Sequence, residues 1–230
     1  MKRHVKALLL VCSMSFVFVL PAKAAPADDK VVIPEVLSPA ANANRRTAIS
    51  GDEIKFRNTM RNLFTECLNR QRNLAVKILT NAEDLKQDQA RLTETVNKIG
   101  VVFKTYYGDS TGERITTLFG QYIGATADYA NSVRTDGDKA GVISRMHLKA
   151  EEIARLFNSF NPHWTKSGLS DALNNYCAMS IKEIDMEHTS IGKPDAQVFN
   201  ATFKKSAEMA EILSTGIARQ FRDKFKRDKK

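Results

Sequence analysis

Residues 106–122 read YYGDSTGERITTLFGQY, and 54 positions further along, residues 160–176 read FNPHWTKSGLSDALNNY. The two stretches share their order of features: paired aromatics or their equivalent, a turn, then apolar residues at helical steps ending in tyrosine. Extended backwards without a gap, the same offset pairs Ile99 with Ile153 and Phe103 with Phe157. Extended forwards, it pairs Ile115 with Leu169, Phe119 with Leu173 and Tyr122 with Tyr176. Leu63, Phe64 and Cys67 match Leu118, Phe119 and Tyr122 at an offset of 55, a further half copy. A helical hairpin cannot bury its apolar stripe alone, so a duplicated hairpin supplies a partner with a compatible face. The repeat therefore builds a core, and does not by itself require repeated chemistry.

Outside the repeat the same period continues. Phe56, Met60, Leu63, Phe64, Cys67, Leu74 and Ile78 form one stripe over about 52–80, with Ser50 or Asp52 as N-cap. Leu85, Leu92, Val96, Ile99 and Phe103 mark a second helix over about 84–104, and residues 111–134 a third. Further helices are expected over about 139–159, 166–189 and 195–226, separated by TDGD at 135–138, by Asn161-Pro162 and by Gly192 with Pro194. Gly137 is expected to take the positive φ of the TDGD turn. No segment alternates at period two. The expected fold is an all-α, single-domain bundle of about six helices over 51–226, its first, third, fifth and sixth helices making an antiparallel four-helix core.

The N-terminus has a different character. A basic start, an apolar run from Ala7 to Leu20 and the small-x-small ending Ala22-Lys23-Ala24 read as a secretory signal peptide over 1–24, cut between Ala24 and Ala25. The run is too short for a comfortable membrane span. Residues 25–50 are rich in Ala, Pro and Asn and read as a flexible leader. Removing residues 1–24 lowers the formal charge from +9 to +5, because Lys2, Arg3, Lys6 and Lys23 leave and no acid does. The remaining basicity concentrates in RQFRDKFKRDKK, with 227–230 as a basic tail suited to weak contact with anionic surfaces or to solvating a helix end. A periplasmic or secreted protein is expected, its partner an unidentified protein or envelope component.

Chemical signatures are sparse. There is no GxSxG, P-loop or GxGxxG, no CxxC or zinc-ligand spacing, and no motif for specific nucleic-acid recognition or for a cofactor. His4, His147, His163 and His188 are scattered. Cys67 and Cys177 survive signal removal and are candidates for one disulfide, or for buried free thiols. Tyr106, Tyr107, Phe160 and Trp164 fall at equivalent interhelix turns. They are candidate surface aromatics for a partner, or plugs for the end of a bundle.

The closing run MAEILSTGIARQFRDKF from Met209, the run IGVVFKTYYGDSTGERITTLFGQYI from Ile99 and AEEIARLFNSFNPHW from Ala150 resemble a family of small exported bacterial helical proteins that has no established activity. The resemblance covers about Phe56 to Phe225. Members tend to carry a histidine within each of four long helices; the matching positions here hold Cys67, Tyr122, Tyr176 and Lys205, so a metal role resting on those histidines does not carry over. The resemblance also implies an inward-leaning polar network of Arg72, Asp128, Glu183 and Glu211. These readings leave three classes of function. One is an exported bundle acting by binding or as a structural accessory; the second is a bundle holding a metal or small ligand at that polar network; the third is a hydrolase or transferase, for which the sequence offers no constellation.

Overall fold

A computed structural model of the chain describes residues 49–190 and 196–226. The segments expected to be a signal peptide and a leader, up to residue 48, together with residues 191–195 and the expected basic tail 227–230, lie outside the described residues. The described residues belong to one compact unit and are all-helical, with six helices and no strand. The helices are α1 Gly51–Leu79, α2 Leu85–Tyr107, α3 Asp109–Thr135, α4 Lys139–Phe160, α5 Lys166–Thr189 and α6 Ala196–Gln220. A short 3-10 turn, Arg222–Phe225, follows α6.

Local chemistry sets the ends. Ser50 caps α1 by accepting from Glu53 N at 3.1 Å, and Asp52 and Glu53 place negative charge on the first turn, where the helix dipole favours it. Asp138 caps α4 through Gly141 N, and Thr165 caps α5 through Gly168 N. Gly108 alone joins α2 to α3, and its φ of 82° is one that a side chain would resist. In the TDGD turn Asp136, not Gly137, takes the left-handed conformation, with φ 53°. Aspartate tolerates that region better than most residues because its short side chain bonds locally.

Short connections make sequential helices antiparallel, so α1, α3 and α5 run in the same direction and α6 runs against them. The four long helices stand in a ring, α1 beside α3, α3 beside α5, α5 beside α6 and α6 beside α1. Helix α2 packs outside on α1 and α3, and α4 on α3 and α5. An alternating antiparallel core does not form, because each helical crossover returns the chain to its starting end. Helices α1 and α5 also touch across the ring, which draws the three parallel helices together.

Those three helices stack equivalent residues in layers. Met60, Ile115 and Leu169 form one, Phe64, Phe119 and Leu173 the next, Cys67, Tyr122 and Tyr176 a third, and Gln71, Thr126 and Ser180 a fourth; all twelve are buried. The duplicated hairpin is visible in contacts between its copies. Phe103 stacks on Phe157 at 5.2 Å between ring centroids, Tyr122 lies 6.5 Å from Tyr176, and Asn161 Nδ2 donates to Tyr107 Oη at 2.8 Å. Each pair is 54 residues apart, so equivalent positions of the two copies face each other.

Candidate functional site

The four polar residues expected to share the core do not come together. Arg72 of α1 meets Glu183 of α5, with Nε 2.7 Å from Oε1, and its Nη2 lies 3.9 Å from Glu187 Oε2. Asp128 is exposed on α3, on the wall of an open groove between α2 and α3. Glu211 belongs to a separate clamp between α6 and α1, where it pairs with Arg57 and Arg61. Arg57 also donates to Glu53 and, at 2.7 Å, to Thr215 Oγ1. Helix direction explains the split. Glu183 lies late on α5, parallel to α1, and so reaches the late residue Arg72; Glu211 lies late on α6, antiparallel to α1, and so reaches the early residues Arg57 and Arg61.

What remains is a narrow cleft between α1 and α5, where Gln71, Arg72, Ser180, Glu183 and Glu187 stand on a largely apolar lining of Leu68, Ala75, Val76, Leu79 and Ile184. Phe199 of α6 covers one side of it, with its ring 4.8 Å from Arg72 Cζ in a cation–π contact. The enclosed volume is about 20 Å³, the size of one water molecule. The Arg72–Glu183 contact is close but off the hydrogen-bonding direction, and Ser180 Oγ, Arg72 Nε and Glu183 Oε1 are buried without a well-directed hydrogen-bond partner. Burial lifts the Glu183 carboxyl above the ordinary carboxylate value, with Glu187 adding to the lift while Thr202 and Arg72 oppose it. Glu187 was not singled out from the sequence; its spacing of four from Glu183 on an amphipathic helix was the available signal.

The central layer behaves differently. Cys67, Tyr122 and Tyr176 line a cavity of about 10 Å³ with Phe64 and Met209. The tyrosine hydroxyls donate to Leu173 O and to Gln71 Oε1, each at 2.6 Å. Burial pushes the Cys67 thiol up to about 12, and both phenols well above their ordinary value. A metal ligand has to be deprotonated, so these groups make a poor centre. Lys205, the fourth position of the resemblance, pairs with Glu208 on α6 instead. Cys67 and Cys177 are free thiols, not a disulfide: the Cys177 thiol points at Met146 Sδ, 3.7 Å away.

The four turn aromatics pack against one another and against the core. Trp164 is 1% exposed, and Tyr106, Tyr107 and Phe160 are half-buried. With Phe56, Phe103, Phe157, Phe221 and Phe225 they form a continuous set of ring contacts that seals one end of the bundle. Trp164 Nε1 donates to Ile212 O at 3.0 Å, and Tyr107 Oη donates to Gln220 Oε1 while accepting from Asn161. The remaining histidines His147, His163 and His188 are exposed and apart.

Among the described residues no group of three or more His, Cys, Asp or Glu side chains is placed to hold a metal ion, and no helix is long and apolar enough to cross a membrane. No family model, curated protein or solved structure matches the chain.

Proposed function

We propose that this chain is an exported helical-bundle protein that acts by binding, or as a structural accessory, in the cell envelope or outside the cell. The observation that carries this reading is a filled interior. The narrow cleft and the tyrosine layer enclose about 20 and 10 Å³, too little for a metabolite. The buried thiols and phenols are held in their protonated, unreactive forms by desolvation. Encounters with other molecules therefore fall to the outer surface. Export rests on the basic start, the apolar run and the Ala22-Lys23-Ala24 ending.

Cells expressing the whole sequence are fractionated, and the N-terminus of the recovered protein is determined. A chain beginning at Ala25 in the envelope or medium is the expected result. A cytoplasmic chain that still begins at Met1 contradicts the proposal.

A second reading, a small-ligand bundle with its site at the narrow cleft, is favoured by the buried atoms of Arg72, Ser180 and Glu183 that lack well-directed hydrogen bonds. Under it, a bound mass survives native purification and disappears in Arg72→Met.

A further inference from the structure

The end of the bundle where α1 begins and α6 finishes carries features that the core does not use. After α6 the chain turns back, so that Phe221 and Phe225 lie against Tyr106 and Phe56. Lys224 Nζ then stands 5.1 Å from the Tyr106 ring and 5.5 Å from the Phe221 ring, and donates to Thr105 O at 3.3 Å. Arg219, Arg222 and Lys224 are exposed, and among the described residues no carboxylate pairs with any of them. The nearby acids are mostly occupied: Asp52 by Lys55, Glu53 by Arg57, Glu113 by Lys104 and Asp223 by Lys226, with Asp109 the exception. At this same end Ile49, just before the Ser50 cap of α1, and Ile54, on its first turn, are 53% and 49% exposed.

We propose that this end of the bundle docks on an anionic phospholipid bilayer, with Arg219, Arg222 and Lys224 meeting lipid phosphates and Ile49 and Ile54 entering the headgroup boundary. Charge complementarity argues for this occupant: the described residues 219–226 hold four basic side chains, Arg219, Arg222, Lys224 and Lys226, against the single acid Asp223. Cations beside aromatic and aliphatic groups are the combination that holds proteins at a membrane surface. Lys224 is seated on the aromatic cap, with Arg222 on the same closing turn and Arg219 in the last turn of α6 just before it. The proposal deepens the envelope reading and rests on it only for where such a bilayer is met.

Protein recovered from cells expressing the whole sequence is sedimented with vesicles of phosphatidylglycerol and phosphatidylethanolamine, and separately with vesicles of phosphatidylcholine. Partition is expected to be at least about tenfold stronger on the anionic vesicles and to weaken as salt is raised. Arg222→Glu with Lys224→Glu is expected to lower it about tenfold, with an unchanged helical spectrum. Because Lys224 also packs on the cap, Arg219→Glu is measured alongside and is expected to weaken partition by a smaller factor. Equal binding to both vesicle types, salt-independent binding, or capture by heparin with none by vesicles would overturn the proposal. Vesicle binding is read in vitro, so a failed export experiment leaves this result intact, and a failed vesicle experiment leaves export intact.

Discussion

At Gly216 a single missing atom decides a tertiary contact. A Cβ there would stand 1.8 Å from Trp164 Nε1, so the indole lies flush on α6 and reaches the Ile212 carbonyl only because residue 216 is glycine. Gly216→Ala is expected to destabilise the bundle by about 1–3 kcal/mol, read as a lowered urea midpoint with an unchanged slope. The two thiols make a second test. With Cys67 held up at about 12 and Cys177 at about 11, the folded protein should resist a thiol reagent at pH 8, and both should react once it is unfolded. A disulfide would leave the denatured, unreduced chain without those two thiols. Glu183 gives the stability a sign against pH. Its folded pKa is raised above 4.5, so the native state keeps a proton that the unfolded chain has released. Its stabilising contribution is present below that value and is lost as pH rises through the folded pKa. Glu183→Gln should flatten this part of the curve, as shown by denaturant midpoints taken in steps from pH 4 to 7.

At the level of helices, much was legible in the sequence because apolar stripes are local. Five helices lie within a few residues of their expected bounds, and the offset of 54 correctly paired residues that meet in space, such as Phe103 with Phe157. The sixth helix misled for a physical reason. Phe221 and Phe225 are spaced by four and so continue the stripe of Leu213 and Ile217, yet the helix stops at Gln220 and the two rings turn back onto the cap. Glu211 was illegible as belonging elsewhere because the level a residue reaches depends on which way its helix runs, a property of the connections and not of the stripe. Asp128 misses the site because it is exposed on the side of α3 that faces the groove with α2. Phe225 shows what the closing turn contributes. It is buried against Phe56 and Tyr106, so Phe225→Ala should cost about 3 kcal/mol and expose the cap, seen as a lower thermal midpoint.

The whole molecule joins a duplicated hairpin to one more helix on each side, and its core is closed by repeated layers from three parallel helices. Such an interior leaves little space for a ligand between α1, α3 and α5, and the proposed encounters are therefore with the outer surface. The most direct test is the mass of the protein taken from its own envelope fraction under native conditions, beside a reduced and denatured sample. A bare chain from Ala25 to Lys230, identical in both samples apart from protons, is the predicted result. A chain that retains residues 1–24 would contradict export, and a stoichiometric metal or small-molecule mass that vanishes on denaturation and is lost in Arg72→Met would contradict an interior closed to ligands.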